Sequence, residues 1–205
     1  MGLNAADLDA GMIALAGIEP AFAAGIGRIG MPVPRIYERG HATLLRTIVG
    51  QQVSVASAAA VWTKLEAAMG PGIDLDRLAA AGDEELRAAG LSRQKAGYAR
   101  SLADEILSGR LDLSALPADD EAAIAALVAI KGIGRWSAEI YLLFAEGRPD
   151  IWPAGDLAIQ VEVGRLLGLP TRPTERETRL LAEPWRPHRG AAAIFAWAHY
   201  NTPVL

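Results

Sequence analysis

Residues 127–138 read LVAIKGIGRWSA, and this stretch decides the fold. The sequence predicts an apolar helix that ends at Ile130 and a tight turn that contains Gly132 and Gly134. A second helix is predicted to begin near Arg135. Glycine tolerates left-handed backbone angles and leaves the turn amides uncovered. Those amides and the positive end of the second helix make a site for a phosphate, with charge added by Lys131 and Arg135. The pattern equally fits an ordinary connection between two helices, with a glycine cap and no ligand.

Helical patterns continue on both sides of this turn. Apolar residues recur at helical spacing from Ala99 to Leu107, and the small apolar run Val53–Leu65 predicts a central helix that is largely buried. Capping residues predict helix starts: Asp83, Ser92, Asp119 and Thr174 with Glu177. Glycines predict helix ends: Gly70, Gly90, Gly109 and Gly168. No long segment alternates with strand period, so the predicted fold is all-α, a two-lobed helical bundle.

Two breaks rich in glycine and proline, 25–40 and 147–155, divide the helical pattern. They predict one lobe formed by residues 1–40 together with about 150–205. Residues 41–149 form the other lobe, which carries the helix-hairpin-helix. We expect a cleft between the lobes, since clefts in helical proteins often form at such breaks.

Composition excludes several classes of site. The chain has 205 residues, 51% of them hydrophobic and 21% charged, which is typical of a globular protein. It has no cysteine, which rules out disulfides, iron–sulfur clusters, thiolate metal sites and a cysteine nucleophile. The three histidines, His41, His188 and His199, are too far apart to form a metal motif.

Charge and hydropathy bear on location and partners. No apolar run is long enough for a membrane span, and Asp7 and Asp9 precede the first apolar stretch, unlike in a signal peptide. We therefore expect a cytoplasmic protein without membrane contact. The net charge of −4 counts against nucleic-acid binding by bulk charge, so a DNA site has to depend on local features.

A second motif, Ile151–Gln160 (IWPAGDLAIQ), follows one helix after the hairpin. Asp156 stands where a helix is predicted to begin. Aspartate is a preferred N-cap residue, so a purely structural role is a strong alternative. A cap can serve chemistry as well, because a carboxylate held by backbone amides stays ionised near neutral pH.

The hairpin followed by a Gly/Pro-rich loop ending in aspartate resembles the helix-hairpin-helix (HhH-GPD) DNA glycosylase superfamily, and within it the DNA-3-methyladenine glycosylase II type. Three further segments are similar to that family: 44–54, 90–96, and 185–189 with Trp197. The resemblance therefore runs from about residue 30 to residue 200.

This resemblance implies a monofunctional enzyme of base excision repair. It would flip alkylated purines, such as 3-methyladenine and 7-methylguanine, out of duplex DNA and hydrolyse their N-glycosidic bond. Asp156 matches the aspartate that stabilises positive charge on C1′ in an oxocarbenium-like transition state. Trp136 stands where members that also cut the strand carry a nucleophilic lysine, so no lyase activity is expected.

The resemblance also assigns the binding residues. The flipped base would lie against Trp136, Trp197 and Tyr141, although both tryptophans also fit ordinary packing. The segment with Gln51 and Gln52 matches the one that enters the minor groove, where Gln52, beside Val53, is the candidate wedge. The predicted hairpin contacts to DNA are Lys131, Gly132, Ile133, Gly134 and Arg135.

Cofactors and partners follow from the same resemblance. No cofactor is required, but some relatives hold a structural Na⁺ or K⁺ on hairpin carbonyls, which here are those of Val128, Ile130 and Ile133. The partner is double-stranded DNA containing alkylated bases, which places the protein at the nucleoid. We expect a monomer.

Two alternatives stay open from the sequence. A non-catalytic helix-hairpin-helix DNA-binding module would keep the hairpin, but it has no need of Asp156. A plain helical scaffold is favoured only by the net negative charge. Two basic pairs, Arg93 with Lys95 and Arg186 with Arg189, are further candidates for phosphate contacts.

Overall fold

The structure, a computed structural model, describes residues 2–202. These residues form twelve α-helices, joined by turns and loops, and no strand. The helices are α1 Ala5–Ile18, α2 Pro20–Ile29, α3 His41–Gly50, α4 Val55–Met69, α5 Leu75–Ala80, α6 Asp83–Ala88, α7 Arg93–Leu107, α8 Asp120–Val128, α9 Arg135–Tyr141, α10 Leu157–Leu166, α11 Glu175–Leu181 and α12 Arg189–Asn201. A π-helical turn, Leu142–Glu146, follows α9, and a 3₁₀ turn, Glu183–Trp185, precedes α12. The predicted all-α class is confirmed. No helix among these residues is long and apolar enough to cross a bilayer.

The chain forms two compact units: one from Met1–Tyr37 with Glu139–Leu205, the other from Glu38–Ala138. The chain passes from the second unit back into the first between Ala138 and Glu139, which lies within α9 and before the glycine- and proline-rich break at 147–155.

In the first unit, α12 packs against α10, α1 and α2. An aromatic cluster fills its core: the Phe22 ring lies edge-on to Trp185 at 5.0 Å and to Phe195 at 5.6 Å, and Trp152 meets Trp185 at 5.5 Å. Edge-on rings bury large apolar areas in a fixed geometry. This cluster brings the loop that contains Trp152 against the segment preceding α12.

In the second unit, α7 is the central helix and packs against α3, α5 and α6. It presents the small residues Ala96, Ala99 and Ala103 together with Leu102 to this core, all of them buried. Small side chains let neighbouring helices approach α7 closely. The helix after the hairpin, α9, begins at the predicted Arg135.

The capping signals in the sequence predict the helix ends well. Side chains of Ser92 and Asp119 cap α7 and α8, and Thr174 with Glu177 forms the predicted capping box of α11. Gly70 ends α4 with a positive φ.

The prediction about the burial of one helix is wrong. The helix predicted over Val53–Leu65 as largely buried is α4, and it buries only Trp62, Leu65 and Met69. Most of its alanines are exposed, because alanine favours the helical backbone without requiring burial. The apolar face of α7 also ends early, since Leu107 is exposed.

Candidate active site and DNA-contacting turns

The hairpin turn between α8 and α9 has the backbone that its glycines predict. Gly132 has φ +86°. The amide of Ile133 donates to the carbonyl of Ile130 at 3.0 Å, which closes the turn, and both side chains are buried. The turn is therefore anchored by its two isoleucines while its glycines stay near the surface.

Helix α7 supports this turn from behind. The Tyr98 ring lies directly against Gly132, in the space that a Cβ would occupy. The backbone amide of Lys131 donates to the hydroxyl of Ser101 at 3.1 Å, while the Lys131 residue as a whole is exposed. Helix α7 thus positions the predicted phosphate site.

The amides of Gly132 and Gly134 differ from those of Lys131 and Ile133, which donate within the protein. No described residue accepts a hydrogen bond from the amides of Gly132 or Gly134. Arg135, by contrast, already forms an ion pair with Glu121, with 2.8 Å between Nη1 and Oε2. We conclude that the two glycine amides and Lys131 are better placed than Arg135 to contact a phosphate.

We expect Gly132→Ala to lower stability and DNA affinity together. A non-glycine residue in left-handed backbone costs about 1–2 kcal/mol, and the new methyl group displaces the Tyr98 ring. Urea unfolding and fluorescence anisotropy with a duplex measure the two effects. Gly134→Ala is the matched control for stability, because a Cβ there meets nothing within 4 Å. Equal unfolding midpoints for both variants would contradict this account.

A second turn, at Gln51 and Gln52, adjoins the hairpin within the same unit. The Gln51 side chain donates from Nε2 to the carbonyl of Gly132 at 2.7 Å. Gln52 is exposed and has φ +55°, which is rare for a residue other than glycine. The structure thus brings together the predicted minor-groove segment and the predicted phosphate site.

Asp156 is the N-cap of α10. Its Oδ1 accepts hydrogen bonds from the amides of Ala158 at 2.9 Å and Ile159 at 3.1 Å. The residue is half-buried and follows the loop 147–155. The carboxylate is therefore held in a fixed orientation by the positive end of a helix.

Three hydrogen bonds to backbone carbonyls fix the loop 147–155. The indole of Trp152 donates to the carbonyl of Thr178 at 3.1 Å, and the Gln160 side chain donates to that of Ala154 at 2.9 Å. The amide of Gly190 donates to the carbonyl of Pro149 at 2.7 Å. A loop tied at three points presents Asp156 with little freedom.

An ion-pair cluster fastens the same loop to the start of α12. Asp150 accepts from Arg189 at 2.8 Å through each of its oxygens, and from Arg186 at 2.8 Å. Glu183 accepts from both arginines, at 3.0 and 3.1 Å. Its hydrogen bond to Arg186, together with the charge of Asp150, raises the pKa of Arg186. Both guanidinium groups pair with carboxylates here, so the phosphate contacts considered for them are not supported.

Two buried carboxylates of the first unit, Glu139 and Glu162, have basic partners of their own. Glu139 is buried and lies 3.5 Å from the guanidinium of Arg179. Glu162 is fully buried, hydrogen-bonded to His199 and 3.5 Å from Arg165. Both therefore belong to structural ion pairs of the first unit.

The predicted base-contacting residues differ in exposure. Trp136 is 45% exposed, which excludes ordinary core packing for that side chain. Trp197 is half-buried, and its ring lies 5.6 Å from that of Phe144. Tyr141 is only 1% exposed, and its contact with a base stays a prediction. Trp136 belongs to the second unit, and the other two residues belong to the first with Asp156.

Sequence reasoning missed Lys95 as a residue of the Gln51 turn. Its ammonium donates to the backbone carbonyls of Val49 at 2.8 Å and Gln51 at 2.7 Å. The signal available was its place in the first turn of α7, next to the cap at Ser92. That position gave no information about a partner 44 residues away.

The hairpin, the capped aspartate and the all-α architecture are the features that the resemblance to helix-hairpin-helix proteins predicts. The sequence matches the family described as HhH-GPD superfamily base excision DNA repair protein over residues 45–187, and the chain belongs to that family.

The particular relatives agree. The chain is 32% identical to DNA-3-methyladenine glycosylase 1 of Schizosaccharomyces pombe over 78% of its own length and 75% of that protein. It is 31% identical to DNA-3-methyladenine glycosylase 2 of Escherichia coli over 84% of its own length, but spans only 62% of that protein. The predicted family and the DNA-3-methyladenine glycosylase type are thereby confirmed.

Solved structures extend the comparison to the fold. A DNA-3-methyladenine glycosidase from Bacillus halodurans superposes with a TM-score of 0.85 at 29% identity, over 91% of this chain and 87% of that one. The 3-methyladenine DNA glycosylase of Schizosaccharomyces pombe, in complex with abasic DNA, superposes with a TM-score of 0.73 at 27% identity, over 93% and 94%.

Proposed function

We propose that this protein hydrolyses the N-glycosidic bond of alkylated purines in duplex DNA and leaves an abasic site. The observation that carries the proposal is Asp156, a carboxylate oriented by backbone amides on a loop fixed at several points. It stands in a chain that belongs to a base excision repair family. A non-catalytic DNA-binding module would use this carboxylate only as the cap of α10.

The chemistry needs one well-placed negative charge. Departure of the base leaves positive charge on C1′, which a nearby carboxylate stabilises, and the same carboxylate orients or deprotonates the attacking water. An alkylated purine is already cationic, so it leaves without a strong general acid. This fits the other two carboxylates, Glu139 and Glu162, which are engaged in ion pairs.

Binding would use both turns of the second unit. The amides of Gly132 and Gly134 would hold a backbone phosphate, and Gln52 would enter the gap left by the flipped nucleotide. In the second unit, the exposed indole of Trp136 would stack on the electron-poor base. We infer that the protein acts as a monomer on one lesion at a time, on chromosomal DNA in the cytoplasm.

A monovalent cation would fit the hairpin. The carbonyl of Ile130 accepts one hydrogen bond from Ile133 and keeps a second lone pair for a ligand. The carbonyls of Val128, Ile130 and Ile133 would hold the ion, which would supply positive charge next to a DNA phosphate. No step of the chemistry depends on it.

Base release from defined duplexes tests the proposed function. We expect release of 3-methyladenine or 7-methylguanine, with the strand intact until alkali is added, because an indole at position 136 cannot form a Schiff base. Borohydride should accordingly trap no covalent adduct. Binding without base release would favour the binding-module alternative, and strand cleavage before alkali would contradict monofunctional hydrolysis.

A further inference from the structure

Lys95 occupies an unusual place for a lysine near the N-terminal end of a helix. Its ammonium is partly buried and donates to the carbonyls of Val49 and Gln51. Both carbonyls lie at the C-terminal end of α3, where backbone acceptors lack helical partners and a positive charge is favoured. Lys95 thus joins the start of α7 to the end of α3.

The hydrogen bond from Lys95 to the carbonyl of Gln51 also restricts the backbone of the next residue, Gln52. The carbonyl of Gln51 and the amide of Gln52 share one rigid peptide plane. Holding that oxygen therefore restricts the ψ of Gln51 and the φ of Gln52 together. Gln52 has φ +55°, a conformation that persists only when its surroundings enforce it.

A second contact fixes the same turn from its other side. Gln51 donates through its side chain to the carbonyl of Gly132, whose own conformation is set by the Tyr98 ring. Gln51 is therefore held at its backbone oxygen by Lys95 and at its amide group by the hairpin. Lys95 and Tyr98 both belong to α7, so one helix supports both turns.

The environment of Lys95 argues against an incidental surface contact. No described carboxylate pairs with its ammonium, whose charge is balanced by carbonyl dipoles alone. Partial burial lowers the pKa of Lys95. A solvated position would avoid that desolvation, so the inward geometry indicates that the carbonyl contacts outweigh it.

We propose that Lys95 is a positioning residue that holds Gln52 in its left-handed conformation, ready to fill the gap left by a flipped nucleotide. The inference rests on the proposed function, because it assigns Gln52 to the DNA. Lys95 touches neither the base nor the sugar in this account. Its effect passes through the Gln51 peptide.

The chain has no cysteine, so Lys95→Cys creates a single reactive thiol. With 2-bromoethylamine, the thiolate forms a C–S bond and displaces bromide, which restores an ammonium on a side chain of lysine length. Iodoethane forms the matching C–S bond, displaces iodide and leaves a neutral chain. Lys64→Cys, at an exposed position on α4, treated with both reagents, is the matched control.

The readouts are affinity for a duplex with an abasic site and the fluorescence of 2-aminopurine placed opposite it, which reports local unstacking. We expect the ethylated Lys95→Cys protein to bind about tenfold more weakly, since two charge-assisted hydrogen bonds are lost, and to give a smaller fluorescence change. The aminoethylated protein should regain both signals. Urea unfolding of each form shows that the comparison is made on folded protein.

Equal affinities of the ethylated and aminoethylated Lys95→Cys proteins would overturn the inference, whatever value they share. An equal response of the Lys64→Cys proteins would overturn it as well, because the effect would then not depend on position. If the wild-type protein itself does not bind the abasic duplex, the proposed function fails first, and this inference fails with it.

Discussion

Asp156→Asn should abolish most base release and leave the protein folded. Asparagine caps a helix as well as aspartate does, so the hydrogen bonds to Ala158 and Ile159 are retained and only the charge is lost. Losing a preorganised electrostatic group of this kind lowers the chemical rate by about 100-fold or more. Single-turnover release of 7-methylguanine from a duplex, with enzyme in excess, measures the chemical step directly.

Asp74→Asn provides the control, because Asp74 caps α5 in the same way, accepting from the amide of Arg77 at 2.9 Å. It should keep the wild-type rate. Binding of Asp156→Asn to an abasic duplex should stay close to wild type. If Asp156→Asn retains its rate, the carboxylate is only a cap and the catalytic assignment is wrong.

Arg189→Met should cause the largest loss of stability. It leaves Asp150 without its bidentate partner and Glu183 with one arginine fewer, in a cluster where Arg189 is mostly buried. Breaking a buried ion pair from one side costs about 3–5 kcal/mol, because the remaining charge stays desolvated. Urea unfolding of the wild type and the variant measures the difference.

Arg110→Met is the matched comparison, since Arg110 also makes two hydrogen bonds to one carboxylate, Glu105, but does so in solvent. Its removal should change the free energy of unfolding far less than Arg189→Met does, because an exposed ion pair contributes little to stability. Base release by Arg189→Met should fall even where the protein is folded, because the loop 147–155 loses its ion pair with α12 and is held there only by the hydrogen bond between Gly190 and Pro149. Similar stability losses for the two variants would contradict the assigned burial.

The local features of the fold could be predicted from the sequence because they depend on residues close in the chain. Caps such as Ser92 and Asp156, and the glycine turn at 132–134, combine a residue type with a position, and both are visible in the sequence. Apolar content alone gave the wrong burial for α4, since alanine is common on exposed and buried helix faces alike.

The contacts that position the site could not be predicted in the same way. Lys95 and Arg189 look like ordinary surface cations when only neighbouring residues are considered, yet each finds its partner about forty residues away. Spacing along the chain carries no signal for such pairs. The candidate residues were therefore identified by motif, whereas their supports became visible only in the folded chain.

Asp156 is both the cap of α10 and the proposed catalytic charge, and different substitutions at this position remove the two roles separately. Asparagine preserves the cap and removes the charge, glutamate preserves the charge and weakens the cap, and alanine loses both. After saturation mutagenesis of this single codon, survival under alkylating stress would therefore report the charge at position 156. Protein abundance would report the helix cap. Few positions in an enzyme allow selection for activity and selection for stability to be read independently.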